Sequence, residues 1–214
     1  MKLRSLARIG FTLVLAAAGS ADVVDLGEGL GYLRVHSLAG QESEWQAAVT
    51  GPGALVLDLR YATADAAAVE ALRTAFAAHP AGTPLFVLVS PDTPAALAAI
   101  VGTQPANVVT LGIPGSHPDP RVTPRFDAMR DRRAYDAAEA GTPLATLLSG
   151  KIEKERFDEA TLVHEFKNGN PDAQPKQTPD PAAAPATPAK PEPVVDRVLQ
   201  RAVHLHRALL ALRR

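Results

Sequence analysis

Three hydroxyl side chains, Ser90, Thr93 and Ser116, are the candidate nucleophiles of this sequence. Ser90 and Thr93 follow an apolar run, where the rim of a pocket is expected in an α/β protein, and Ser116 stands beside His117. A hydroxyl becomes a nucleophile when a neighbouring base takes its proton. Adjacent residues of an extended loop point their side chains apart, so Ser116 and His117 make a poor dyad. A cap on the following helix explains Ser90 and Thr93 better than catalysis does.

The other histidines and the absence of cysteine argue against further kinds of catalytic and metal site. His36 and Ser37 are adjacent on a predicted strand, so their side chains also diverge. His204 and His206 lie two positions apart on a predicted helix, which argues against a metal site. The chain has no cysteine, which excludes disulfides, thiolate catalysis and cysteine-bound metal. The sequence has no Gly-rich phosphate loop and no acidic cluster, so we expect no cofactor.

Residues 53–60, Gly-Ala-Leu-Val-Leu-Asp-Leu-Arg, are predicted to be the central strand that positions these groups. The run has no polar alternation and follows a Gly-Pro-Gly breaker, which indicates a strand buried on both faces. An amphipathic helix at 65–79 and a second apolar strand at 84–89 follow, so the sheet should be at least partly parallel. Asp58 and Arg60, at the end of the central strand, are predicted to form a structural ion pair.

Further segments show strand or helix patterning on either side of this unit. They are a half-buried strand at 31–38, a helix at 41–49, a helix at 94–101 with Pro94 first and Asp92 or Thr93 as its cap, a strand at 108–111, an irregular loop at 114–124, and two or three helices within 125–166. The predicted fold is α/β, with a mostly parallel sheet and a helical C-terminal part.

Composition indicates how the chain is divided into a domain and its appendages. Its 214 residues, with 46% hydrophobic and 21% charged residues, support one globular domain with appendages. A net charge of −1 gives no electrostatic case for nucleic acid binding. We divide the chain into a signal peptide (1–21), an α/β domain (22–167), a disordered Pro/Ala-rich linker (168–193) and an amphipathic helix (194–214).

The first 21 residues have the three parts of a secretory signal peptide. Lys2, Arg4 and Arg8 form a positive segment, an apolar run follows at 9–18, and Gly19-Ser20-Ala21 offers small residues for cleavage. The alternative is a buried N-terminal helix. Since no cysteine follows, a lipoprotein anchor is excluded. We expect an exported protein, periplasmic or extracellular, that begins near Asp22 after cleavage.

The predicted linker is too rich in proline to fold, whereas the predicted final helix has an apolar seam that needs cover. Prolines recur throughout 168–193, so this tract cannot bury enough surface to fold. The helix at 194–214 has an apolar seam with steps of three and four residues, composed of Val195, Val198, Ala202, Leu205, Leu209 and Leu212. Its own domain, a second copy of the chain or a membrane surface could cover this seam. We favour its own domain, and a homo-oligomer through this helix stays open.

Three strand segments carry a resemblance to a known family. They are Gly31-Tyr32-Leu33-Arg34, then Leu55-Val-Leu-Asp58-Leu-Arg60, then Pro84-Leu-Phe-Val-Leu-Val89 running into a small-residue helix. Their order and spacing over residues 31–112 resemble the tail-specific (carboxyl-terminal processing) serine peptidases. The resemblance implies a crotonase-like core of repeated βαβ units, serine-type endopeptidase activity, and a catalytic serine with a lysine base.

The chain departs from that family at each catalytic position. The family's catalytic serine matches Ala95, which offers no nucleophile. The family's paired glycines are replaced within Tyr61-Ala-Thr-Ala-Asp65, which has no glycine to turn backbone N–H groups toward a carbonyl oxygen without strain. The lysine base has no counterpart, because no lysine occurs between residues 9 and 150.

Two functions therefore stay open. The first is an exported, catalytically inactive homologue of these peptidases that acts in binding or assembly, with an unknown protein or peptide partner. The second is a serine-type peptidase or hydrolase with a rearranged site at Ser90, Thr93 and Ser116. An acyl-CoA enzyme of the crotonase type is disfavoured, because an exported protein meets little CoA.

Overall fold

The computed structural model describes residues 23–40, 42–103, 107–124, 126–149 and 193–213. The predicted signal peptide, all of the predicted linker except Pro193, and any helix between 150 and 166 lie outside the described residues. The chain divides into two compact units. The first comprises Met1–Ala128 together with Arg197–Arg214, and the second comprises Met129–Asp196.

The first unit is built on one sheet, with five strands among the described residues. The strands lie in chain order, as β1 (Val24–Asp25), β2 (Leu30–Arg34), β3 (Ala54–Asp58), β4 (Leu85–Val89) and β5 (Val108–Gly112). β1 pairs antiparallel with β2, and every later pair is parallel. This confirms the predicted α/β class and the mostly parallel sheet.

Three helices connect the parallel strands and cover one face of the sheet. They are α1 (Glu42–Thr50), α2 (Ala66–Ala78) and α3 (Ala95–Val101). Right-handed crossovers between neighbouring parallel strands place all three on the same side. Their apolar side chains, such as Trp45 and Leu72, join Leu57 and Val87 of the sheet in one hydrophobic cluster.

The central strands are buried as their apolar runs predict. Every residue of β4 is buried, and Leu57 of β3 has no exposed surface. The helix between them begins where Asp65 accepts a hydrogen bond from the Ala68 amide at 2.8 Å, as an N-cap residue does. The local sequence is therefore sufficient to predict β3, β4 and the helix α2 that Asp65 caps.

One strand prediction needs correction, and one short strand was not predicted. β2 ends at Arg34, so His36 and Ser37 do not lie on a strand as predicted. The ladder stops there because Arg34 pairs with Asp58, the last residue of β3, and Ser37 pairs with Thr63 in an isolated bridge farther along. The short strand β1 was not predicted, since two residues cannot show an alternating pattern.

The second unit is helical in its described part. It contains α4 (Ala128–Glu139, whose first residue belongs to the first unit) and α5 (Leu144–Leu148). Gly141, with φ of +88°, adopts the left-handed conformation that commonly follows a helix end. The Asp196 amide donates to the Leu147 carbonyl at 3.0 Å, which ties the end of this unit to α5.

The C-terminal helix α6 (Arg197–Leu212) belongs to the first unit and packs against β3, β4 and β5. The ring of His206 meets Phe86 edge to face, with 6.4 Å between the ring centroids. Since side chains alternate along a strand, Phe86 points away from the face that Val87 shares with α1–α3. The prediction that this helix docks on its own domain is therefore confirmed. None of the described helices is both long and apolar enough to span a membrane.

The buried stripe of α6 differs from the predicted seam. Val198 and Ala202 are buried as predicted, but Leu212 is 84% exposed, and Leu199 and Val203 are buried instead. A seam with a seven-residue repeat drifts by about 20° per heptad around a straight helix, which has 3.6 residues per turn. The later seam residues therefore turn away from the sheet.

Candidate functional site

The carboxyl ends of β3, β4 and β5 bring the loops with the candidate nucleophiles together. In parallel α/β sheets this edge is the usual position of ligand and catalytic sites. Arg60 follows β3, Ser90 follows β4, and Ser116 lies in the loop after β5. Parallel pairing of these three strands is what makes the loops neighbours.

The Ser90 hydroxyl is fully buried and is used in main-chain hydrogen bonds. Its Oγ donates to the carbonyl oxygen of Arg60, thirty positions earlier. The same oxygen accepts from the Asp92 amide at 3.2 Å. The side chain therefore ties the loop after β4 to the loop after β3, with 0% of Ser90 exposed. A hydroxyl in this arrangement is a structural link.

Thr93 makes two hydrogen bonds with the main chain of Ser90 and so closes the turn at residues 90–93. Its Oγ1 accepts from the Ser90 amide at 2.9 Å, and its own amide donates to the Ser90 carbonyl at 3.2 Å. The prediction that Asp92 or Thr93 caps a helix beginning at Pro94 is wrong. α3 begins at Ala95, its N-cap residue is Pro94, and no side chain caps it. The reason is that the Thr93 hydroxyl faces the preceding turn.

Ser116 and His117 are separated as the sequence predicts. Ser116 is buried, and its Oγ donates to the Val89 carbonyl at 3.3 Å. His117 is exposed, while its amide donates to the Ser90 carbonyl at 3.2 Å. Gly112 permits this packing, because a Cβ there would lie 2.7 Å from the Ser116 Oγ.

Backbone amides after β3 are also used within the fold. The Arg60 amide donates to Asp58 Oδ1 at 3.2 Å, and the Ala62 amide donates to the Leu59 carbonyl at 3.3 Å. The Thr63 amide donates to the His36 carbonyl at 2.9 Å. An oxyanion hole needs amides aimed at the reacting oxygen. These three amides are aimed at neighbouring residues instead.

A buried polar network lies at the ends of β2 and β3. Asp58 binds Arg60 through two contacts, Oδ2 to Nη2 at 2.7 Å and Oδ1 to Nε at 3.0 Å. The Tyr32 hydroxyl donates to Asp58 Oδ2 at 2.8 Å and accepts from Arg34 Nε at 2.9 Å. The predicted Asp58–Arg60 ion pair is confirmed. Tyr32 and Arg34 were not predicted, although their two-residue spacing on β2 places both on the face that Asp58 occupies.

Charge pairing decides the ionisation of Asp58. Burial raises its pKa, whereas the charge and hydrogen bond of Arg60, the charge of Arg34 and the hydrogen bond from Tyr32 lower it. The lowering contributions prevail, so the pKa of Asp58 lies below its ordinary value. Asp58 is therefore an ionised partner of Arg60, and a group held this way is unsuited to carry protons near neutral pH.

A groove of about 240 Å³ lies at the opposite edge of the sheet, beside α6. We call it the α6 groove, and its lining includes Pro52, Pro84, His206, Leu209, Leu210 and Arg213. Pro52 and Pro84 precede β3 and β4, so the groove lies at the amino ends of these strands. It is therefore distant from the loops that carry Ser90 and Ser116.

His206 is the buried polar residue of the α6 groove. Its side chain is 4% exposed, and Nε2 lies 3.0 Å from the Glu28 carbonyl oxygen. Nδ1 is buried and has no hydrogen-bond partner among the described residues. At the outer end, Arg213 Nη2 donates to the Gly82 carbonyl at 2.7 Å.

His204 and His206 diverge as their spacing predicts. His204 is partly exposed on another side of α6, whereas His206 is buried against the sheet. Burial first, and then the charges of Arg207 and Arg201, hold the pKa of His204 below its ordinary value. Within the described ranges, no three His, Asp or Glu side chains are grouped so that they could hold a metal ion.

The chain matches no protein family model and no curated protein.

Proposed function

We propose that this chain is an exported binding or assembly protein with a core similar to that of tail-specific serine peptidases, and that it does not hydrolyse peptides. The observation that carries the proposal is the state of the candidate nucleophiles. The hydroxyls of Ser90, Thr93 and Ser116 are buried and hydrogen-bonded to main-chain groups. A nucleophile must reach a substrate carbonyl and a base, and burial together with these main-chain hydrogen bonds opposes both.

The sheet supports the peptidase-like part of this proposal. β2, β3, β4 and β5 lie in chain order, with α1, α2 and α3 as successive crossovers. Repeated βαβ units wound in one direction are the arrangement that a crotonase-like core requires. At the nucleophile position of the resemblance, Ala95 is an exposed first residue of α3, and its methyl group offers no chemistry.

We expect no hydrolysis of an unfolded fluorescently labelled protein by the purified chain, and no change in that background rate with Ser90→Ala. The same substitution should lower the free energy of unfolding by about 1–3 kcal/mol, because it removes a buried hydrogen bond from Ser90 Oγ to the Arg60 carbonyl. Urea unfolding measures this loss. Ser149→Ala is the matched control, since that hydroxyl is exposed and donates to the nearby Thr146 carbonyl.

The alternative is a serine-type hydrolase with a rearranged site at Ser90, Thr93 and Ser116. Its supporting observation is that all three hydroxyls lie in two neighbouring loops at the carboxyl edge of the sheet. Hydrolysis above background that disappears in a folded Ser90→Ala or Thr93→Ala variant would establish this alternative and end the proposal of an inactive protein.

Export is the part of the proposal that depends on residues 1–21, outside the described ranges. The positive segment and the apolar run favour cleavage after Ala21. We expect protein isolated from the cell envelope to have an intact mass that corresponds to a chain beginning at Asp22. Recovery of a cytoplasmic chain that retains Met1 would contradict export.

A further inference from the structure

We propose that the α6 groove binds a small organic acid that has a hydroxyl or N–H donor at the end opposite its carboxylate. The donor would bind Nδ1 of His206, and the carboxylate would bind Arg213. This site is independent of the proposed function, because it lies at the amino ends of β3 and β4. Whether Ser90, at the carboxyl edge of the sheet, takes part in catalysis does not affect this site.

The tautomer of His206 is set by its one hydrogen bond. The Glu28 carbonyl oxygen can only accept, so the ring nitrogen Nε2, 3.0 Å away, carries the proton and donates. In the tautomer with a single proton on Nε2, the ring presents Nδ1 as an acceptor. Because a carboxylate or carbonyl cannot donate to this atom, the groove selects a ligand group that brings its own hydrogen.

A buried acceptor without a hydrogen-bond partner lowers the stability of a folded protein. Nδ1 is such an acceptor within the described part of the chain, and it belongs to a side chain that lines the groove. Folding has already removed Nδ1 from water. A ligand that supplies the missing donor therefore gains a hydrogen bond without a further desolvation cost for this atom. The partly buried Leu209 and Leu210 follow His206 on α6 and line the same groove.

The opposite end of the groove favours an anion. Arg213 is exposed and donates one N–H to the Gly82 carbonyl, and its guanidinium has further donors in a planar fork that matches a carboxylate. Seven residues separate His206 from Arg213, which is about 10 Å along the helix axis at 1.5 Å per residue. The ligand therefore needs its donor and its carboxylate at opposite ends of an apolar body, which Leu209, Pro52 and Pro84 would flank.

The probe is para-hydroxyphenylacetate, which has a phenol donor, an aromatic body and a carboxylate. Titrated into the full chain labelled with nitrogen-15 at histidine, it should shift the Nδ1 resonance of His206 saturably and leave His204 unchanged. Para-methoxyphenylacetate has no donor and should bind about fivefold more weakly. Absence of a saturable His206 shift, or equal binding of both acids, would overturn the proposal.

A pair of variants tests the carboxylate end without disturbing the core. Arg213→Gln should weaken binding of para-hydroxyphenylacetate roughly tenfold, because it removes a charge-assisted contact. Arg201→Gln is the matched control, since Arg201 is an exposed arginine of α6 that does not line the groove. Equal weakening by both substitutions would show a general charge effect and would contradict a specific role for Arg213.

Discussion

A protein truncated after Pro193 is expected to lose most of its stability, because α6 covers one face of the central sheet. The helix buries Val198, Leu199 and Val203. Full burial of each such side chain contributes about 1.5–3 kcal/mol. Their combined contribution is comparable with the net stability of a typical domain, about 5–15 kcal/mol. The truncated chain would also expose Phe86, which packs against α6.

Urea unfolding and binding of a dye that recognises exposed apolar surface test this expectation. The truncated protein should bind the dye in the absence of urea. Two point variants separate docking from a general effect of shortening. Leu199→Asp places a charge in the buried stripe and should be strongly destabilising, whereas Leu212→Asp changes a residue that is 84% exposed and should be nearly neutral. A truncated protein that is as stable as the full chain would refute the structural role of α6.

Asp58→Asn is expected to cost about 3–5 kcal/mol of unfolding free energy, because it removes the negative charge that the buried Arg60 guanidinium contacts at 2.7 Å. Neither side chain of the pair is exposed, so water cannot replace the lost carboxylate. Chemical denaturation measures the loss. The exposed pair formed by Glu70 and Arg73 is the matched control, and Glu70→Gln should have a much smaller effect.

Replacing both partners should be milder than replacing one. Asp58→Leu combined with Arg60→Met removes both charges of the pair together, so neither partner is left in the interior without the other. We therefore expect the double variant to be more stable than Asp58→Asn. If instead the double variant lost the sum of the two single losses, the two side chains would act independently, which would contradict the assigned pairing.

The pH dependence of stability should report the same ion pair. The folded-state pKa of Asp58 is lowered, and the unfolded value is about 3.9. A lowered pKa contributes stability that is present above the unfolded value and is lost as pH falls through the folded value. The wild-type protein should therefore lose stability below about pH 4 more steeply than Asp58→Asn. Parallel curves for the two proteins would show that Asp58 does not make this contribution.

Much of the framework follows from local sequence. The apolar runs that became β3 and β4 have no polar face, so they require cover on both sides, and a sheet between two helical layers supplies it. Asp58 and Arg60 are close in sequence, so their pairing could be predicted without the fold. The same holds for the helix that Asp65 caps.

The roles of the candidate site residues depend on contacts between distant parts of the chain. Ser90 is a structural link because the Arg60 carbonyl, thirty positions earlier, lies beside it. His206 has a defined tautomer because the Glu28 carbonyl, 178 positions away, meets its ring. No periodicity or motif encodes such partners. Sequence alone therefore determined which residues could do chemistry, whereas tertiary packing decided which hydrogen bonds they make and hence which chemistry remains open to them.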